Sequence, residues 1–185
     1  MSSRSRIAVL TVVSAGVLGA LGFLIMLFEF PLPLLPTFLQ YDFGDVPCLL
    51  TGLTLGPLAG LLAEVVKCFL FFVSGKDEAG LVGTAANLAC GATFVVVAAL
   101  VHSGRRPRVA LSLVAGGLAM LAVTSVANMY VFFPLYGLPG PARLPFLLAG
   151  SLPFNAAKAL ISGAIGGLLY RRVAIAFRRL RVRQA

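Results

Sequence analysis

Between short clusters of arginine the chain runs for stretches of about twenty residues without a charge, and this pattern constrains its fold more than any other feature. The uncharged apolar runs are Ile7 to Phe28, Val46 to Ala63, Ala79 to Val101, Val109 to Phe133 and Leu144 to Tyr170, the last broken only by Lys158. A helix rises about 1.5 Å per residue, so about 20 residues cross the hydrocarbon of a bilayer. An ordinary soluble domain carries roughly a quarter charged residues, whereas this chain has 11% charged and 59% hydrophobic residues and a mean hydropathy of +1.00. The expectation is an all-α polytopic membrane protein, a single integral membrane domain over residues 1–185. Six crossings would use most of the chain and leave no room for a second sizeable soluble domain.

A net charge of +9 suggests nucleic acid only where it forms a field on one folded surface. Here eleven of the fifteen basic residues fall in three patches: Arg4 and Arg6; Arg105, Arg106 and Arg108; and Arg171, Arg172, Arg178, Arg179, Arg181 and Arg183. Patches of this kind beside apolar runs mark the cytoplasmic side of a membrane protein. Aromatic interleaving and a binding fold are both missing around the C-terminal arginines, so no nucleic-acid partner is expected. The N-terminal run after Arg6 resembles a signal peptide but is too long and lacks a clear small-x-small site, and it reads as the first helix.

Charge parity sets the number of crossings. The first run starts inside and the run before Arg105 ends inside, so the region from Asp45 to Glu78 must be a hairpin whose two ends lie outside. Gly56-Pro57 is its natural break, because proline cannot continue the hydrogen-bond ladder of the preceding turn. The expected helices are about 7–28, 46–55, 57–73, 79–101, 109–133 and 144–170, six transmembrane helices with both termini cytoplasmic. One continuous tilted crossing from Val46 to Val73 is the competing reading, but it would place Arg105 to Arg108 outside. The hairpin is short, a geometry tolerated where its backbone faces other helices rather than lipid. Gly52, Gly56 and Gly60, Ala59 and Ala63, and Gly16 and Ala20 form small-residue ridges, which suit either a partner subunit or packing within the chain.

Chemistry-bearing clusters are scarce. Cys48, Cys68 and Cys90 are scattered in apolar runs without a CxxC or a nearby histidine, and read as small buried hydrophobes rather than metal ligands or a disulfide framework. His102, the one histidine, stands beside Ser103 in a basic loop and suits a connector better than a catalytic dyad. No nucleophile with a base, metal set or phosphate-cradling loop is present, so neither an enzyme nor a self-powered pump is expected.

The polar residues inside the apolar runs need a reason. Asn155, Lys158 and Ser162 share one face of the last helix. An ammonium at this depth requires water, an anion or an acceptor. Lys158 is therefore either part of a polar wall that grips a solute, or a structural partner of Glu64, or a snorkelling lysine. Asn128 can recognise an imide-like edge or pin a neighbouring helix, and Tyr130, Phe132, Phe133 and Tyr136 beside it can stack on a flat ring or anchor the interface. Glu64 and Lys67, three apart, form a neutralising pair or serve a cavity or subunit contact. Asn87 suits an interhelical hydrogen bond better than a ligand contact, yet stays among the candidate site residues. The acidic residues Asp42 and Asp45 are placed in the outer connection from Phe30 to Asp45. With three prolines and four aromatics, that connection reads as a lid over a pocket.

Four motifs, Phe-Leu-Gln-Tyr-Asp-Phe-Gly-Asp-Val-Pro (38–47), Gly-Pro-Leu-Ala-Gly (56–60), Asn-Met-Tyr-Val-Phe-Phe-Pro-Leu-Tyr (128–136) and Pro-Phe-Asn-Ala-Ala-Lys (153–158), occur in this order over nearly the whole chain. Together they resemble the riboflavin-specific substrate-binding subunit of energy-coupling factor (ECF) importers. The resemblance implies six membrane helices, a loop over an outward pocket, riboflavin as transported ligand with no cofactor, and partnership with a membrane coupling (T) subunit and two cytoplasmic ATPases. It further implies that Asn128, Asn155 and Lys158 hydrogen-bond the flavin and that Leu39, Gln40, Tyr41 and Asp42 form the lid and ring environment. Gln40 stands where the family often has a basic residue, and Gly44 where it often has serine. A subunit for another vitamin, or a structural membrane protein without a ligand, are the alternatives.

Overall fold

The computed structural model describes residues 3–37, 39–76, 79–104 and 108–182. Phe38, Asp77, Glu78, Arg105, Arg106 and Arg183 lie outside the described residues.

The described residues fold into six helical segments and one small hairpin: α1 (Ser3–Met26), β1 (Phe30–Pro31), β2 (Gln40–Tyr41), α2 (Asp45–Leu55), α3 (Pro57–Val73), α4 (Gly80–His102), α5 (Val109–Leu135) and α6 (140–182). Both α1 and α6 outrun their apolar stretches. Arginine is a good helix former, so a helix does not stop where hydrophobicity does, and Pro141 fits the first turn of α6, where its missing N–H costs nothing.

Among the described residues four helices are long and apolar enough to cross a membrane: α1, α4, α5 and α6. Their outer faces carry exposed Val12, Val17, Leu118 and Leu168, the surface that lipid would cover. The other two are shorter. At 11 and 17 residues, α2 and α3 span about 16 and 26 Å, less than the roughly 30 Å of hydrocarbon. Protein surrounds the shorter of them: α2 is buried from Asp45 through Leu53 and packs against α1, α3, α4 and α6, whereas α3 keeps an exposed apolar face at Leu58, Val65 and Phe69.

Gly56, at φ 107°, makes the break between them, and Pro57 opens α3. Any other residue would be strained at that backbone angle. The two helices then cross almost in contact, since a Cβ on Gly60 would lie 2.6 Å from the Gly52 Cα and 2.5 Å from Val95 Cγ1. The ridge Gly52–Gly60 therefore packs within the chain. The region from Asp45 onward is a hairpin, as charge parity requires, and the remaining core forms around it from Leu49, Leu53, Phe94, Val95 and Met120.

Two helices contain a widened turn. The Phe133 N–H reaches back to the Asn128 carbonyl, and the Leu152 N–H to the Leu147 carbonyl, each five residues away instead of four. In both places the next residue is a proline, Pro134 or Pro153. Proline has no N–H to give and its ring crowds the carbonyl four residues back, so the chain relaxes by inserting one residue into the turn.

At the outer end, β1 and β2 pair antiparallel with Phe30 opposite Tyr41. Tyr41 sits edge-on to Phe30 and Phe43, with ring centroids 5.7 and 5.0 Å away, and is completely buried. At the opposite, arginine-bearing end, His102 Nε2 and the Tyr170 hydroxyl are 2.8 Å apart and tie α4 to α6; His102 is the last residue of α4 and not part of the basic loop in which the sequence places it.

Candidate ligand site at the outer end of the bundle

The widened turns face each other. Asn128, the first residue of the turn in α5, donates through Nδ2 to the Ser151 hydroxyl, 2.7 Å away at the end of the turn in α6. Asn155 lies one helical turn further along α6. Its Nδ2 donates to the Ser151 carbonyl at 2.9 Å and to the Ser151 hydroxyl at 3.3 Å, while its Oδ1 accepts from Cys90 Sγ of α4 at 3.4 Å. Both asparagines are buried. Ser151, which no sequence pattern singles out, is thus the acceptor that orders two carboxamides. The signal that could have found it is Leu-Pro-Phe (152–154), a proline inside an apolar run.

Lys158 follows on the same face. Its ammonium donates to Asn87 Oδ1 of α4 at 2.8 Å and lies 3.1 Å from Asp45 Oδ2 and 3.6 Å from Asp42 Oδ2. The structural pairing offered by the sequence, with Glu64, does not form. Glu64 instead pairs with Lys67 at 2.5 Å, and Lys67 also bonds Asp45. Asp45 is the main departure from expectation. It lies in the first turn of α2 with no exposure at all, where the helix N-terminus favours a negative charge, and not in a solvated connection.

The hairpin closes over this cluster. The Tyr41 hydroxyl and Ser162 Oγ are 3.0 Å apart, joining the first outer connection to α6. Burial pushes the Tyr41 phenol above its usual pKa of 10.0. Asp42 turns its other oxygen to the Gly44 N–H at 2.7 Å. Leu39 is half-buried and its N–H donates to the Pro36 carbonyl at 2.9 Å. Gln40 is exposed on β2. Of the eight candidate residues, six (Tyr41, Asp42, Asn87, Asn128, Asn155 and Lys158) belong to one buried polar region, with Leu39 and Gln40 on its outer rim. Of the aromatics after Asn128, Phe132 and Phe133 are buried, whereas Tyr130 and Tyr136 point outward.

Donors and acceptors gathered from α4, α5, α6 and the hairpin, sunk at the outer end of a membrane bundle and covered by a short strand pair, define a membrane protein with a polar site built into its interior. The comparisons agree with this class and narrow it. The family model described as "ECF transporter, substrate-specific component" matches residues 10–170, and the chain belongs to that family. Its relatives include the riboflavin transporter RibU of Staphylococcus aureus (strain TCH60), 32% identical over 91% of this chain and 92% of the relative. The riboflavin transporter FmnP of Bacillus subtilis (strain 168) is 33% identical over 89% of this chain and 91% of the relative. A solved structure described as "Structure and mechanism of the S component of a bacterial ECF transporter" superposes with a TM-score of 0.79 at 31% identity, covering 90% of this chain and 96% of that one. The chain is a transport component of a prokaryotic plasma membrane, not an enzyme.

Proposed function

We propose that this chain, acting as one membrane domain, captures riboflavin at the outer face of the membrane for import by an ECF-type transporter. The observation that carries the reading is the convergence of Asn128, Asn155 and Lys158 on one buried wall. A carboxamide offers a donor and an acceptor side by side, which complements the alternating N–H and carbonyl edge of a flavin ring. An ammonium supplies a further donor to a carbonyl. The Tyr41 hairpin lies across the same wall and serves as its lid. The names of the two relatives support riboflavin as the solute.

The polar wall supplies binding and no covalent chemistry, so uptake draws its energy from partners in the ECF assembly. A membrane coupling subunit and two cytoplasmic ATPases complete it. The half-buried Gly16 and Ala20 on α1 suit contact with the coupling subunit, because among the described residues no side chain lies within 4 Å of a methyl added at Gly16.

Quenching of flavin fluorescence by the purified protein tests the reading. Saturable quenching is expected, and its absence from a folded preparation would overturn the assignment. Asn155→Ala is the cleaner site variant, because Lys158 also closes an ion cluster. Loss of a buried hydrogen-bonding partner costs about 1–3 kcal/mol, which is about five- to 150-fold in affinity.

A further inference from the structure

Five charged side chains form one continuous line through the buried region. Glu64 Oε1 is 2.5 Å from Lys67 Nζ, Lys67 Nζ bonds Asp45 Oδ1, Asp45 Oδ2 is 3.1 Å from Lys158 Nζ, and Asp42 Oδ2 is 3.6 Å beyond. None of the five side chains is more than 4% exposed. Stability alone does not account for such a line, since well-packed apolar residues of similar volume are often no less stabilising than a buried ion pair. We propose that Asp45 is the positioning residue of the ligand site: fixed by Lys67 and, through it, by Glu64, it aims the Lys158 ammonium at the solute. The proposal rests on the reading of Lys158 as a ligand contact.

The geometry gives each member a task. A lysine stem has four rotatable bonds and, near the end of a membrane span, tends to carry its charge out to water. Asp45 opposes that drift from a position that is itself fixed. It sits in the first turn of α2, and its two oxygens serve two different lysines, so the plane of the carboxylate is set by both. Lys67 cannot relax away from Asp45, because Glu64, one turn earlier on the same helix, holds it from the other side. Gly91 on α4 leaves the space that the Glu64 carboxylate fills; a methyl there would collide with it.

An ammonium has three protons. Asn87 takes one at 2.8 Å, while Asp45 Oδ2, 3.1 Å away, holds the ammonium as an ion pair without a hydrogen bond. Asp42, at 3.6 Å, is beyond hydrogen-bond range, so protons of the ammonium are left to offer to a solute carbonyl. Glu64 and Lys67 are thereby assigned to the interior of this chain and not to a subunit contact.

The test is a double-mutant cycle on riboflavin affinity, read by fluorescence quenching, with Asp45→Asn, Lys158→Met and the double variant. Asp45→Asn is expected to weaken binding at least tenfold in the wild-type background and less than twofold in the Lys158→Met background. A merely structural role would weaken both backgrounds alike, and equal losses, or unchanged affinity in a folded Asp45→Asn protein, would overturn the proposal. Should Asp45→Asn fail to fold, Lys67→Gln enters the same cycle with the same criterion. Saturable binding by the wild type separates the two levels: without it the riboflavin assignment fails, and with it an additive cycle defeats only the role given to Asp45.

Discussion

The close crossing of α2 and α3 makes Gly60→Ala a demanding perturbation. The added methyl would lie 2.6 Å from the Gly52 Cα and 2.5 Å from Val95 Cγ1, whereas carbon atoms pack best at about 3.5–4.0 Å. The elements must separate by about 1 Å. Neither neighbour gives way: Gly52 offers backbone only, and Val95 is fully buried with one strongly preferred rotamer in a helix. Overpacking of this kind costs about 1–3 kcal/mol, here at the upper end, while replacing glycine by alanine in a helix returns about 1 kcal/mol of propensity. The net is a destabilisation of about 2 kcal/mol, or about 4–8 °C in thermal midpoint for a chain of this size. Gly16→Ala on α1 is the matched control, because a Cβ there meets nothing within 4 Å among the described residues and only the propensity gain remains. Thermal midpoints of both variants, measured by size-exclusion chromatography of the detergent-solubilised protein, separate the two meanings of a small-residue ridge. If Gly60 served another subunit, Gly60→Ala would behave in the isolated chain like Gly16→Ala, and a midpoint equal to or above wild type would refute the packing argument.

Two further outcomes rest on the same geometry. Gly91→Ala should drive the Glu64 carboxylate off Lys67 and destabilise by about 3 kcal/mol, the lower range for breaking a buried pair; Glu64→Asp, one methylene shorter, should restore much of the thermal midpoint, and an unperturbed Gly91→Ala protein would count against the buried contact. Tyr41→Phe removes the hydroxyl contact to Ser162 while leaving the ring against Phe30 and Phe43. Loss of about 1 kcal/mol of net hydrogen bonding should speed hydrogen exchange of the hairpin amides about fivefold without changing exchange in α5, and equal protection in both proteins would mean that the hydroxyl does not hold the hairpin down.

The architecture was legible because its determinants are local or additive. Apolar run length gives crossings, arginine patches give orientation, and Gly56-Pro57 marks the short hairpin without reference to anything distant. The electrostatics of the site were not legible in this way. Asp45 reads as a loop residue from its neighbours Asp42, Phe43 and Gly44, and its burial depends on Lys67, 22 residues later, and Lys158. The same distance effect hid the partners of Lys158: Glu64 was within reach by depth alone, but α3 directs it to Lys67 and Gly91, while α2 brings Asp45 into the place left for a counter-ion.

The site residues divide along the same line. Asn155, Lys158 and Ser162 come after the widened turn of α6 and stand on an unbroken helical stretch, so a count of three and four places them on one face and the structure buries all three. Asn128 stands at the opening of the widened turn in α5, and Ser151 closes the one in α6. One inserted residue rotates everything beyond it by about 100°, the angle between successive residues of a 3.6-fold helix, so no pattern drawn from the apolar face of Val109–Ala127 carries across to the helix beyond the wide turn. Pro134 and Pro153 are what the sequence offers instead. Each lies two positions past the residue that closes its wide turn, and the pair bring the Asn128 carboxamide and the Ser151 hydroxyl within 2.7 Å. In these two runs Pro134 and Pro153 thus mark where a helix changes the face it turns to the interior, and Asn128 and Ser151 stand at those two points.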